Sequence, residues 1–243
     1  LMLGNISITG EVKQPGIYRI EKENSLFSLL VKSGGLTDDA FLDGLIFSRE
    51  EEKRRETESI KRLVRELDKS IAAALENQPE VTSFDAESIR ALRELALAAS
   101  DFKPIGRVVG DYANIDTLKN IKLKSGDRVF IPKIPSSVTV VGEVMTPGSL
   151  LWNENKTANS YIDKAAGFTD LADKEKVFVI SPNGQAKRNL KLWGSSNSVK
   201  KGSTIVVPRK IILTSTLGKV SAVTSVIYQL TLTLAGIESL LSN

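Results

Sequence analysis

Ile8-Thr9-Gly10-Glu11-Val12-Lys13-Gln14-Pro15-Gly16 returns later in the chain as Val140-Val141-Gly142-Glu143-Val144-Met145-Thr146-Pro147-Gly148. Each copy is an apolar run, then Gly-Glu-Val, two further residues and Pro-Gly. Proline holds φ near about −65° and glycine accepts positive φ, so Pro-Gly predicts a tight turn between two strands. The correspondence continues at the same spacing, 132 positions, into Gly35-Leu36-Thr37-Asp38 and Gly167-Phe168-Thr169-Asp170. A repeat of this length sets the architecture before any local reading.

The two copies also close alike. Lys124-Ser125-Gly126-Asp127-Arg128-Val129-Phe130-Ile131-Pro132-Lys133 matches Lys200-Lys201-Gly202-Ser203-Thr204-Ile205-Val206-Val207-Pro208-Arg209, but now only 76 positions apart. The first copy therefore carries an insertion of about 56 residues between its Gly-Leu-Thr-Asp and its closing strand. The resulting map has a first unit at 5–134 with a helical-hairpin insertion at about 50–103, a second unit at 137–210, and a terminal helix at 213–243.

Within the first unit, residues 6–12 and 17–20 read as a hairpin rich in Ile, Val and Tyr. Ser25 is the expected N-cap of a short helix, Leu26 to Lys32, ended by Gly34-Gly35. Leu45-Ile46-Phe47 reads as a third strand. The insertion opens with Glu50-Glu51-Glu52-Lys53-Arg54-Arg55-Glu56 and predicts a helix to about Glu76. Ile60, Leu63, Val64, Leu67, Ile71 and Leu75 recur by three and four on one face of it. Asn77-Gln78-Pro79 breaks this helix, and a second one is expected from about Asp85 to Ala99, giving an antiparallel helical hairpin. Its charged face reads as solvated, with i,i+4 pairs, in preference to a partner surface.

Phe102 to Val109 returns the chain to the first sheet, Lys124 to Asp127 turns it, and Arg128 to Ile131 closes it. Asp127 reads as a turn residue. Pro132 and Pro135 stiffen the link to the second unit. There the expected helix is Thr157 to Ala166, the buried strand Val177 to Ile180, and the hairpin turn Pro182-Asn183-Gly184. Each unit is a small mixed sheet crossed by one helix, which predicts a β-grasp-like α+β fold.

Composition removes several functions. Thirty-three basic and 29 acidic residues leave a net charge of only +4. Basic and acidic side chains mostly alternate, with no aromatic-interleaved basic run, so nucleic acid is not an expected partner. The chain has no cysteine and no histidine. Disulfides, thiolate and imidazole metal sites, and Ser-His-Asp or Cys-His chemistry are thereby excluded. No catalytic, cofactor or metal site is expected. The opening Leu1-Met2-Leu3-Gly4-Asn5 reads as the cut end of a longer chain.

Residues 211–243 do not fit a third repeat. From Val220 to Ile237 no residue is charged, a run of 18 between Lys219 and Glu238. As a helix it spans about 27 Å, close to a bilayer's hydrocarbon core. Val223, Val226, Ile227, Leu230, Leu234 and Ile237 form an apolar stripe, the candidate lipid-facing side. Ser221, Thr224, Ser225, Tyr228 and Thr231 fall on the other side, the candidate lumen-facing one. A lone span exposes these hydroxyls to lipid, although they can bond back to their own helix. A helix lying on the membrane normally carries Lys and Arg on its polar face, and this one has neither. A ring of such helices satisfies both faces. Packing against the second unit is the remaining alternative, and the uncharged polar face counts against it.

The twin Gly-Glu-Val-x-x-Pro-Gly stretches, the Gly-(Leu/Phe)-Thr-Asp after the helix and the closing Gly-Asp-Arg-Val-Phe-Ile-Pro strand resemble SLBB domains (soluble ligand-binding β-grasp). Two such units and a C-terminal amphipathic helix resemble the outer-membrane polysaccharide export family, the Wza-like translocons. The helical insertion and the ending Val226-Ile227-Tyr228-Gln229-Leu230 look most like its KpsD branch. The resemblance implies a homo-oligomeric ring in the periplasm and outer membrane of a Gram-negative bacterium. Its terminal helices would form an α-helical barrel passing capsular polysaccharide, with an inner-membrane polysaccharide co-polymerase as partner. The family's N-terminal export domain and a lipobox cysteine are absent from these residues. The alternative is a soluble periplasmic SLBB saccharide binder or adaptor whose last helix packs on its own domain.

Such a duct needs weak contacts, and Thr224, Thr231 and Gln229 offer hydroxyls and an amide. Gly10, Glu11, Pro15 and Gly16, with Gly142, Glu143, Pro147 and Gly148, are the repeat turn motifs. Glu11 and Glu143 resemble a carboxylate pair, but they belong to separate repeats, so bonding to strand or turn amides is the favoured role. Trp152 and Trp193 are candidates for stacking on sugar, with packing the favoured role.

Overall fold

The computed structural model describes residues 4–20, 24–76, 90, 93, 94, 96–188 and 198–210. The terminal segment 213–243, with its lipid-facing and lumen-facing candidates, lies outside the described residues, as does Trp193.

The first unit contains strands β1 (Gly4–Gly10), β2 (Gly16–Ile20) and β3 (Ile46–Ser48), with helix α1 (Leu26–Lys32) between β2 and β3. The insertion begins with helix α2 (Glu50–Glu76) and returns into β4 (Arg107–Val108), helix α3 (Ile115–Asn120) and β5 (Arg128–Ile131). The second unit runs β6 (Ser137–Gly142), β7 (Gly148–Leu151), α4 (Ala158–Lys164), β8 (Phe178–Ile180), β9 (Ala186–Arg188) and β10 (Thr204–Val207). The sheet orders are β2-β1-β5-β3-β4 and β7-β6-β10-β8-β9. The closing strand is parallel to the first strand in each unit, and every other pair is antiparallel. Two units of one topology, each with a helix crossing a mixed sheet, are the α+β fold that the repeat predicts.

Alternation sets the faces. On β1, Ile6 and Ile8 are buried, whereas Ser7 and Thr9 point the other way. Helix α1 starts where Ser25 closes a capping box: its Oγ accepts from the Ser28 N–H at 3.2 Å, and its own N–H donates to Ser28 Oγ at 2.9 Å. Leu26, Leu29 and Leu30 then face the sheet. In the second unit, Thr157 caps α4, while Tyr161 and Ile162 join the core. This helix ends at Lys164, two residues short of the expected Ala166, which turns to φ +63° to end it.

Helix α3 was not anticipated, because its six residues offer only Ile115 and Leu118 as apolar signals. It forms because Asn114 Oδ1 accepts from the Asp116 N–H at 2.8 Å and Leu118 is buried in the first core. The insertion also has a definite seat. Strands β3 and β4 correspond to β8 and β9, which are joined through the expected turn at Pro182-Asn183-Gly184. The insertion thus replaces a tight hairpin turn. Its first helix buries Ile60, Leu67 and Ile71, and Ile60 packs with Ala99 and Phe102 on the return. The second helix is described only toward its end, where helical residues run to Asp101 rather than stopping at Ala99.

Tyr112 is fully buried in the first core and its hydroxyl donates to the Val108 carbonyl. Burial pushes its phenol up to about 12. A raised folded value means that this group's stabilising contribution is complete below about pH 10, the unfolded value, and is lost as pH rises through about 12. An absorbance titration should show one phenolate step near pH 12 that Tyr112→Phe removes.

Candidate functional site

The repeated motif builds the same corner twice. After β1 the chain passes through Gly10 at φ +84°, which aims the Glu11 N–H at the Ile131 carbonyl of the closing strand, 2.8 Å away. Gly142, at φ +93°, aims the Glu143 N–H at the Val207 carbonyl, also at 2.8 Å. The next residue turns inward. Val12 is buried and bridges Leu36; Val144 is buried and bridges Phe168. Lys13 and Met145 then donate their N–H to the Gly35 and Gly167 carbonyls at 3.0 Å in both repeats.

Pro15-Gly16 is therefore not a two-residue turn. Gly16 already pairs with Ile8, and Gly148 with Val140. The inward pull on Val12 and Val144 widens each connection into a loop docked on the end of the helix.

Both glutamates find the same partner. Thr37 Oγ1 donates to Glu11 Oε2 at 2.5 Å, and Thr169 Oγ1 to Glu143 Oε2 at 2.7 Å. Their carboxylates thus take a hydroxyl, not the strand or turn amide expected. The signal was in the chain: Glu and Thr recur 26 positions apart in both copies. Each carboxylate closes the corner of its own repeat. Thr169→Val removes a charge-assisted hydrogen bond and should cost about 2 kcal/mol. Thr169→Val and Glu143→Gln should be strongly non-additive in a denaturant-melting double-mutant cycle.

Asp127 does more than turn the chain. It is buried, and the Arg49 guanidinium grips it with Nε at 2.9 Å from Oδ1 and Nη2 at 2.8 Å from Oδ2. The Lys124 N–H also donates to Oδ2 at 2.8 Å. The hydrogen bond to Asp127 pushes the Arg49 pKa up, against the opposing effect of burial. Arg49 immediately precedes α2, so the pair ties the root of the insertion to the turn before β5. At the corresponding positions the second repeat has Ser181 and Ser203, so the pair belongs to the first repeat alone.

The two units also touch. Arg107 on β4 donates through Nη2 to the Pro182 carbonyl in the β8–β9 turn, and burial lowers its pKa to about 10. Lys201 Nζ lies 6.0 Å from the ring centres of both Phe41 and Trp152. Trp152 is half-buried, packs against the second core, and donates its indole N–H to the Val199 carbonyl at 2.8 Å. That indole is held as a packing group. Among the described residues no cluster of three or more acidic side chains is placed to hold a metal ion. Among the same residues no helix is long and apolar enough to cross a membrane.

The SLBB domain signature matches residues 5–56 and 137–187, one match on each corner-bearing unit. The chain carries two SLBB domains. It is also 28% identical over 154 residues to a polysialic acid transport protein KpsD of Escherichia coli, covering 63% of this chain and 26% of that protein. A second Escherichia coli KpsD is 28% identical over 133 residues, 55% of this chain and 23% of the relative. The chain thus spans about a quarter of the length of these relatives. The twin SLBB matches and the KpsD similarity together make the chain similar to polysaccharide export proteins of the Wza/KpsD kind.

Proposed function

We propose that this chain is part of a subunit of an outer-membrane translocon that exports capsular or extracellular polysaccharide. The observation that carries the reading is the pair of SLBB units of one topology in a chain similar to a polysialic acid transport protein. The units act as structural modules of a homo-oligomeric ring rather than as an enzyme. Their glutamates are engaged by threonines within their own repeats. The charge-free segment from Val220 to Ile237 supplies the membrane element. Its stripe of Val223, Val226, Ile227, Leu230, Leu234 and Ile237 faces lipid, and its Ser, Thr and Tyr hydroxyls face the water-filled duct. An inner-membrane polysaccharide co-polymerase feeds the periplasmic side of the ring in a Gram-negative envelope.

Deleting residues 219–243 tests this in the producing cell. Surface polymer should disappear and the protein should leave the outer-membrane fraction. Undiminished export by the truncated protein would contradict the proposal.

A further inference from the structure

The face of each sheet that points away from its helix differs sharply between the repeats. In the first unit, register places Ser7 beside Arg128 and Arg128 beside Ser48. The next row is Thr9, Phe130 and Ile46. The matching rows of the second unit are Thr139, Thr204 and Ile180, then Val141, Val206 and Phe178. One fold thus presents two surfaces. The second is largely apolar, with Ile180 and Val206 buried. The first carries a guanidinium, three hydroxyls and a partly exposed phenyl ring.

The insertion turns that first surface into a cleft. Arg49, Glu50 and Lys53 at the root of α2 form one wall, and Lys103, Pro104 and Ile105 on the return form another. This open cleft has a volume of about 580 Å³, within the usual range for a small-molecule site. Four cations and one carboxylate line it, and the Arg49 charge is already met by Asp127. Lys53, Lys103 and Arg128 therefore outweigh Glu50 and leave the cleft positive. Phe130 and Ile105, both partly exposed, supply apolar surface for the C–H face of a sugar ring, while Ser7, Thr9 and Ser48 supply hydroxyl partners.

We propose that this cleft binds a carboxylate-bearing sugar unit of an acidic polysaccharide, with Arg128 and Lys103 meeting the carboxylate and Phe130 lying under the ring. The inference rests on the export reading and gives the cargo a contact point on the first SLBB unit. The chemistry favours one acidic sugar over a nucleic acid strand, because the cations surround a single small cleft rather than forming a track. Arginine suits the planar carboxylate. The named relatives are transport proteins for polysialic acid, which is an acidic polymer.

The test is titration calorimetry on the full chain with oligosialic acid, a neutral glucose oligomer of equal length, and inorganic phosphate. Oligosialic acid should bind and the glucose oligomer should not. Lys103→Glu and Arg128→Glu should each weaken binding about tenfold or more, the scale of one lost charged hydrogen bond. Lys187→Glu, at an exposed position on β9 of the other sheet, should leave it unchanged. Should Arg128→Glu disturb the sheet, Lys103→Glu decides the matter from the return segment, outside any strand. Unchanged binding by the cleft variants, equal binding of the neutral oligomer, or displacement by phosphate at equal concentration would each overturn the proposal. The export reading fails separately: cleft-dependent binding in a protein whose truncation at 219 leaves export intact removes the channel and keeps the cleft. Loss of export on truncation, with binding indifferent to the cleft charges, does the reverse.

Discussion

Gly142→Ala should lower the melting midpoint of the second SLBB unit by roughly 20 °C, from a loss of about 4 kcal/mol in a unit of this size. Two penalties add. The backbone at Gly142 has φ +93°, where a Cβ is strained. A Cβ built there would also sit 2.0 Å from the Val207 carbonyl oxygen, a backbone atom of the pair that ends the parallel pairing of β10 with β6. Neither can be relieved by rotating a side chain. The same carbonyl accepts the Glu143 N–H, so moving it opens the corner as well. Gly10→Ala should act in the same way on the first unit, where the Cβ would lie 2.0 Å from the Ile131 carbonyl oxygen. Gly16→Ala is the control: a Cβ there meets nothing within 4 Å, and a shift of no more than a few degrees is expected. Differential scanning calorimetry of the three variants reads the result directly.

Asp127→Ala should cost about 3–5 kcal/mol, the range found when one partner of a buried ion pair is removed. The substitution deletes both Arg49 contacts and the bond from the Lys124 N–H. It also leaves a guanidinium whose side chain is only 17% exposed without its carboxylate, the Lys122 carbonyl at 2.8 Å from Nη2 being the acceptor that remains. Asp127→Asn keeps the shape and part of the bonding, and should cost less. The loss should fall on the first unit and on the seating of α2, since Arg49 is the last residue before that helix. Denaturant melts of the two variants, with hydrogen exchange across residues 50–76, would show both effects. A melt of Asp127→Ala matching the parent would remove the pair from the account of how the insertion is anchored.

What the chain disclosed in advance follows from where the repeat could be compared with itself. Ser25, the alternation on β1 and the closing strand Arg128–Ile131 are local signals, and each was readable in one unit and confirmed in the other. The Gly-Glu-Val motif was visible, but its use was not. Pro-Gly drew attention to a turn, whereas the deciding contacts are the long-range approach of Gly10 to Ile131 and the grip of Thr37 on Glu11. Helix α3 is too short for periodicity to register. Arg49 and Asp127 lie 78 positions apart with no counterpart in the second repeat, so nothing local or repeated marked them. The cleft is hidden for the same reason: it exists only where the insertion folds back over one sheet. The proposed membrane segment rests on the charge-free run alone.

The measurement that bears most directly on the central claim is the mass of the full-length protein in mild detergent, compared with the same protein lacking residues 219–243. Terminal helices that form a barrel should give a large ring that needs detergent and that falls apart or becomes water-soluble on truncation. A monomer in both cases, soluble without detergent, would contradict it.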